Sequence, residues 1–597
     1  MVGKIEVLDT RNFKSFISSG ISVVDFYADW CVAPNTQIYH SPIHSRPAWD
    51  IKKDENIISW RDGLVKDSIH YSKKSNKAGH CKQIISSSGR VIETTDDHGF
   101  FTSDGWKAAN TLKVGDKIAI LPVIDHLFFE GEDKILLQKS DFDFLSADYK
   151  NIEKYMQELD KLSLLTLKKN DPKILILARL IGALFSDGCL YSSKKNNYRE
   201  ISFTLGQKRD VEDIIHDLSS LGFNTVHVSE RNSDCEINGR KFSMHTFRVK
   251  CLSTALYLLF KLLGVPEGNK TNKVYDLPLW IKNSELSIKK EFLSAYLGGD
   301  GPKLDIRMVY GERENPYNCI NINDIEFHKR IDILENGLLF AESLRALLGD
   351  FGIDGKVFHE IDPYVRKDKT QSAILHIRIK HNISTAFIIA QRIGYSYCWQ
   401  KQQSAMYVGE FARKILFMRS RWKNVYDSVM RMAEKEKDIR KISEISGVSE
   451  NSIYNWVKKG VKPTVQKHFI KFDEWLMNST KELKDGFVWD NVESIKTIYL
   501  PEVQILTTEN DHNFVANGFL VHNCGPCKIM APAFERAANK SSAKFAKLNV
   551  DGNQDIAMMY GVLSIPTTIV FKNGVVKDMH TGTLNEAEII KLAEKYK

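Results

Sequence analysis

At 597 residues the chain is too long for one domain, and its 43% hydrophobic and 26% charged content is that of soluble globular protein with several packed cores. No run of about 18 apolar residues occurs, and the opening MVGKIEVLDTRNF is mixed and charged, so a cytoplasmic protein without membrane span or signal peptide is expected. The net charge of +8 is mild, yet residues 411–470 alone hold 14 Lys/Arg against 6 Asp/Glu, a local excess of the kind that meets nucleic acid. The nine cysteines are too scattered for a disulfide framework, and only Cys524 and Cys527 form a close pair.

In chain order, ISVVDFYADW (21–30) predicts a buried strand ending near Trp30, and 30 residues cannot bury a core of their own. CVAPNTQI (31–38) follows, then TTDDHGFF (94–101), with Thr95 and His98 in a TxxH spacing, and GWKAANTLKVGDKIAIL (105–121). LARLIGALFSDG (177–188) and EFLSAYLGGDG (291–301) predict two helices, each ending in Asp-Gly, with Ile174, Leu177, Ile181 and Leu184 at helical spacing in the first. Gly182, Ala183, Ser294 and Ala295 would let these helices approach closely and carry Asp187 and Asp300 to one edge. Two such acids can bind Mg²⁺ and activate water at a phosphodiester. Residues 438–463, DIRKISEISGVSENSIYNWVKKGVKP, predict helix, Gly-containing turn and helix, with Ser449 as N-cap. After HNFVANGFLVHN (512–523), the tail predicts a helix over 524–538, a strand over 544–551, a strand after Pro566, an Asn573-Gly574 hairpin turn and a helix near 585–596.

Read without 31–523, the two ends join into 104 residues containing VVDFYADWCGPCKIMAP. This text resembles thioredoxin over its whole length. The resemblance implies that Cys524, after Trp30 in the joined chain, is the redox nucleophile and Cys527 the resolving thiol. It also implies that Asp25 is the buried carboxylate assisting proton transfer, Lys547 its partner, and Pro566 the cis-proline beside the active site. A thiol at a helix N-terminus has its thiolate favoured by the helix dipole and free amides, which agrees with that assignment.

The 493-residue interruption begins with Cys31 and ends with His522-Asn523 before Cys524. A thiol at Cys31 can attack the Trp30 carbonyl to give a thioester, and the Cys524 thiol can take over the acyl group. Asn523 can then close a succinimide on its own carbonyl, and an S-to-N shift completes a Trp30–Cys524 peptide bond. These stretches resemble the splicing blocks of inteins. That resemblance implies that His98 activates the upstream scissile bond and Thr95 holds it. His512 would assist the middle steps and His522 the cyclisation of Asn523. One departure bears on the first two steps: inteins commonly have an aspartate seven residues before the histidine matched by His512, and here that residue is Ile505.

The two Asp-ended helices resemble a homing endonuclease of the LAGLIDADG type. This implies that Asp187 and Asp300 bind the metal, and Lys273, near DLPLW (276–280), is the candidate catalytic lysine. The 438–463 segment resembles a helix-turn-helix whose second helix, about 450–458, enters the major groove. There Tyr454, Asn455, Lys458 and Lys459 would contact bases or phosphates.

The expected fold is therefore multidomain: an α/β thioredoxin fold split by a mostly-β Hint-type splicing domain that carries an α+β LAGLIDADG endonuclease domain. The expected boundaries are 1–30 and 524–597 for thioredoxin, 31–122 and 481–523 for splicing, and 123–480 for the endonuclease. Expected partners are double-stranded DNA at the uninterrupted thioredoxin gene, disulfide-containing proteins and a thioredoxin reductase, with the chain a monomer away from membranes. Mg²⁺ serves the endonuclease, and neither splicing nor thioredoxin chemistry needs a cofactor. The rival expectation is an insert that only cleaves, or an inert one that binds DNA on a thioredoxin scaffold.

Overall fold

The computed structural model describes residues 5–596 except 28–30, 76–78, 97, 128, 146–148, 150, 194, 196–197, 238–239, 311–315, 366–369, 463–470, 523–524, 551–552 and 563–565. The chain forms two compact units, one from residues 1–121 with 478–597 and the other from 122–477. Among the described residues no helix is long and apolar enough to cross a membrane.

Among the described residues the first unit holds two sheets. In the five-stranded one, Ile21–Tyr27 is central, running parallel to Lys544–Asn549 and antiparallel to Thr567–Lys572, with Glu6–Leu8 and Val575–Thr581 at the edges. The alternation in ISVVDFY sends Val24 and Phe26 to one face, with Phe13, Leu548 and Phe571, and Val23 to the other, with Phe534, Phe545 and Ile589. Helices Gly525–Lys540 and Glu586–Glu594 cover the second face. The last helix starts with a full capping box, Asn585 and Glu588 exchanging side-chain and backbone hydrogen bonds. The Asn573-Gly574 turn has both residues at positive φ, 51° and 80°, as a two-residue hairpin with right-handed twist requires. Strands from the two ends of the chain thus pair directly, although hundreds of residues lie between them in sequence.

The other sheet is fourteen-stranded and interleaves both ends of the interruption. Val503–Thr508 pairs with Cys31–Val32 and Leu64–Ser75. Phe519–His522 pairs with Gly99–Thr102, and Lys117–Ile120 with Val488–Leu500. Because Cys31 and His522 each terminate a strand of this sheet, the two borders are held by backbone ladders rather than by loops.

The second unit is α+β. Helix Lys173–Phe185 leads into a four-stranded antiparallel sheet over Gly188–Cys251, and helix Leu286–Asp300 into a hairpin and the three-stranded sheet Ile325–Arg330, Gln371–Ile379, Gly355–Val365. The 37-residue helix Trp399–Lys435 follows, then helices Ile439–Ser446 and Glu450–Lys459.

Candidate functional sites

Three sites take shape, the first around Cys31. Its backbone N–H donates to Thr95 Oγ1 at 3.1 Å, and its strand lies between Val91–Thr95, through Val32↔Thr94, and Val503–Thr508, through Cys31↔Ile505. The TxxH spacing closes a tight turn in which the His98 amide donates to the Thr95 carbonyl at 3.1 Å. That turn puts the His98 side chain inside, 1% exposed, and among the described residues neither ring nitrogen has a hydrogen-bond partner. Burial first, and then the nearby His522 imidazole, hold His98 down at about pH 3, so it is neutral at physiological pH. Residues from both ends of the interruption therefore converge: Cys31, Thr95 and His98 from the start, His522 from the finish. Trp30, Asn523 and Cys524 lie outside the described residues. His512 sits in the turn between Val503–Thr508 and Asn513–Ala516 with φ of 53°. The residue before it, Asp511, is anchored by Arg61 at 2.5 Å and by its amide on Asp67 at 2.6 Å. Ile505 packs in one apolar cluster with Cys31, Cys81 and Val503.

The second site lies in the five-stranded sheet. Asp25 is buried, and desolvation raises its carboxyl to about 7 against the opposing pull of Lys547. Lys547 is its register partner on the adjacent strand and also reaches Glu535 at 3.4 Å. Pro566 is buried, its carbonyl accepting from the Gly582 amide at 2.8 Å. The backbone of Cys527 is in helix Gly525–Lys540, and its side chain lies outside the described residues.

The third site is where the two acid-bearing helices end. A methyl at Gly182 would lie 2.2 Å from the Phe292 carbonyl oxygen and 3.1 Å from Ala295 Cβ, so the helices touch backbone to backbone there. A methyl at Gly299 would lie 2.9 Å from Asp187 Oδ2, which sets the first carboxylate against the residue preceding the second. Ser294 does not serve this approach: its hydroxyl bonds that of Ser396 at 2.8 Å and accepts from the Ser396 amide at 3.0 Å. Asp300 is raised to about 7 by burial and by Asp187, with Lys270 and Lys401 opposing.

Those two lysines, which no sequence motif marked, are placed alike. Lys270 Nζ donates to the carbonyls of Leu184, Ser186 and Gly188 at the end of the first helix. Lys401 Nζ donates to those of Leu297, Gly298, Gly299 and Gly301 at the end of the second, at 2.6–3.2 Å. Each thus neutralises the negative end of an acid-bearing helix. Lys273, by contrast, offers its carbonyl to the buried Lys329 Nζ at 2.5 Å, and the ammonium groups of Lys270 and Lys401 each feel both acids.

Beyond them, Gly447 at φ 67° closes one helix, and Ser449 caps the next by accepting from the Ser452 amide. Ile453 and Trp456 are buried against Val429, Ile442 and Val448, which turns the opposite side of Glu450–Lys459 to solvent. Tyr454, Lys458 and Lys459 are exposed there and Asn455 is half-buried, with Lys459 Nζ 5.5 Å from the Tyr454 ring centre.

The family model described as intein splicing domain matches residues 42–523, and that of thioredoxin matches 503–595. Among curated proteins, the DNA-directed RNA polymerase subunit Rpo1N of Methanocaldococcus jannaschii is 31% identical over 452 residues, covering 73% of this chain and 29% of that one. The same organism's replication factor C small subunit is 26% identical over 529 residues (76% and 27%), and its tRNA-splicing ligase RtcB 28% over 464 (74% and 45%). The chain spans under half the length of these relatives. Solved structures give local matches. They include an Ssp DnaB mini-intein variant (20% identity, 16% of this chain, 64% of that one, TM-score 0.15) and a mutant thioredoxin of Halobacterium salinarum (37%, 12%, 65%, 0.12). A third is I-DmoI with DNA and Mn (13%, 34%, 90%, 0.19).

Proposed function

The chain belongs to the intein splicing-domain family, and on that premise we propose that residues 31–523 excise themselves and join Trp30 to Cys524. It is an intein-containing thioredoxin precursor with a region resembling a LAGLIDADG homing endonuclease. The observation that carries the proposal is the meeting of Cys31, Thr95 and His98 with His522 in one sheet. Thr95 fixes the Cys31 amide of the bond to be broken. His98, neutral and dry, offers a ring N–H to that bond and an acceptor nitrogen for its proton. The Cys31 sulfur adds to the Trp30 carbonyl carbon, the Trp30–Cys31 C–N bond breaks, and the freed amine keeps the transferred proton. The Cys524 thiol then displaces the Cys31 thiolate. The Asn523 side-chain nitrogen attacks its own main-chain carbonyl and expels the Cys524 amine, with His522 moving the proton. That amine finally captures the thioester. Alignments of 452, 529 and 464 residues with an RNA polymerase subunit, a replication factor and a tRNA ligase, three proteins of different kinds, support a self-contained insert that does not depend on its host's activity.

Mass spectrometry of the expressed chain tests this: a 104-residue protein with a Trp30–Cys524 bond and a free 493-residue insert are expected, and Asn523→Ala abolishes both. Only intact 597-residue chain under permissive conditions overturns it. A second reading, cleavage without ligation, is favoured by one observation: Ile505, opposite Cys31, supplies neither charge nor hydrogen bond where an aspartate is usual. Separate, unjoined ends in the same experiment identify it.

The ligated product is proposed to reduce disulfide-containing proteins through Cys524 and Cys527, with Asp25 and Lys547 moving the proton, and to be recharged by a thioredoxin reductase. The insert is proposed to cut double-stranded DNA at the uninterrupted gene. Asp187 and Asp300 are hard oxygen donors whose mutual repulsion a divalent cation relieves, so they fit Mg²⁺. The ion supplies Lewis-acid activation of phosphate and water. We assign the lysine role to Lys270 and Lys401 in place of Lys273, and phosphate and base contacts to Tyr454, Asn455, Lys458 and Lys459. Duplex carrying the joined site should be cut with Mg²⁺, and Asp187→Ala or Asp300→Ala should abolish cutting while splicing continues. Binding without cutting in Mg²⁺ and Mn²⁺ would leave only the splicing reading.

A further inference from the structure

The His522 imidazole stands edge-on to the Trp106 indole, ring centres 4.9 Å apart and planes at 82°. Trp106 is not alone. Its other neighbour is Phe101, 5.0 Å away, which touches Trp60 at 4.8 Å and stacks on Trp489 at 5.9 Å. Strand pairing builds this row: Phe101 and Trp106 are register partners in one hairpin, and the same hairpin pairs with the strand of His522 through Phe100↔Val521. The two rings meet above bare backbone, since a methyl at Gly99 would lie 2.9 Å from His522 Cβ and 3.9 Å from Trp106 Cε3. Gly99, the neighbour of His98, thus leaves the space in which the imidazole and the indole touch.

We propose that Trp106, braced by Phe101, Trp60 and Trp489, is a positioning residue for release of the downstream junction: it fixes the plane of His522 as Asn523 closes on its own carbonyl. The proposal rests on the splicing reading above. In that step the Asn523 side-chain nitrogen bonds to its main-chain carbonyl carbon. The C–N bond to Cys524 breaks, and one proton passes from the attacking nitrogen to the departing one. The histidine that relays this proton needs a fixed ring plane, and an aromatic ring packed against it restricts that plane by contact. His98 is buried against a different ring, Phe100, 5.9 Å away, so the two histidines should respond separately to substitution of Trp106.

Two blocked full-length precursors separate the halves of the reaction. In Cys31→Ala, only cleavage after Asn523 is read; in Asn523→Ala, only thiol-induced cleavage before Cys31. Trp106→Leu is expected to slow the former about 10- to 100-fold, the scale of a misplaced catalytic group, and to leave the latter unchanged. Trp106→Phe, which keeps a ring face, should restore most of the lost rate. Equal slowing of both halves, or no restoration by Phe, assigns Trp106 to folding and overturns the proposal, as does an undiminished downstream rate. If neither junction cleaves with Trp106 intact, the splicing reading itself fails and takes this inference with it.

Discussion

His98 and Asp25 are both buried, and burial moves them in opposite senses because one is charged when protonated and the other when not. For His98 the folded chain binds a proton only near pH 3, the unfolded chain near 6.5. Stability from this group is therefore complete above pH 6.5 and is lost as pH falls toward 3. At pH 4.5 the loss is on the order of 2–3 kcal/mol. His98→Gln in a blocked precursor should flatten the acid limb of melting temperature against pH, and an unchanged limb would assign that sensitivity to other groups. For Asp25 the folded pKa of about 7 lies above the ordinary carboxyl value of 3.8, so the fold retains a proton the unfolded chain releases, and stability falls as pH rises through that window. Asp25→Asn should raise the melting temperature of the ligated product at pH 8 and leave it nearly unchanged at pH 3.5. An equal gain at both pH values would contradict a titrating Asp25. Both residues could be named from sequence because their chemistry is tied to short motifs. Trp106 could not: nothing local distinguishes it from a surface aromatic until the strand carrying His522, more than 400 residues later, pairs beside it.

Element by element, the acid-bearing helices were readable from periodicity and from their Asp-Gly ends, since both signals lie within one element. What caps them was not. Lys270 follows Asp187 by 83 residues, and Lys401 opens a helix that its sequence alone marks only as long. Sequence reasoning gave Gly182 and Ser294 the same role, and only Gly182 has it; Ser294 meets Ser396, a partner that no spacing rule indicates. The close approach at Gly182 is testable. A methyl 2.2 Å from a carbonyl oxygen must push the helices apart, so Gly182→Ala should destabilise the 122–477 unit by about 1–3 kcal/mol. By separating the acids it should lower DNA cutting while splicing is kept. Unaltered melting and cutting would mean that the interface yields without harm. On the exposed side of Glu450–Lys459, Lys458→Ala and Lys459→Ala should each reduce the slope of log affinity against log salt by about 1. Undiminished slopes would remove this helix from the phosphate contacts.

Across the whole molecule, the two units differ in what they need from each other. Among the described residues, the strands that frame Cys31 and His522 come from residues 31–120 and 488–522, and the chain leaves for residues 122–477 and returns from them at the two strands of one ladder. In that ladder Lys117–Ile120 runs antiparallel to Val488–Leu500, with Ile120 opposite Val488 and Ile118 opposite Asp490. Leu121, the last residue before the second unit, is already tied by its amide to the Gly518 carbonyl at 2.8 Å. On the return side, Asp485 accepts from the Leu64 amide at 2.9 Å and Phe487 is buried, so the chain is anchored before the strand begins. The entry and exit strands are thus neighbours in an antiparallel pair, a geometry that a short connection can close, and a longer loop adds only slowly to the entropy of closure. Replacing residues 122–477 by a flexible linker of about ten residues, which can reach some 30 Å when extended, should therefore leave the fourteen-stranded sheet intact and preserve joining of Trp30 to Cys524. The 104-residue product should form with the same Asn523 dependence, while all DNA cutting disappears. A shortened precursor that folds, with the five-stranded sheet intact by hydrogen exchange, yet stays unspliced would mean that the second unit supplies something to the junctions that the ladders do not.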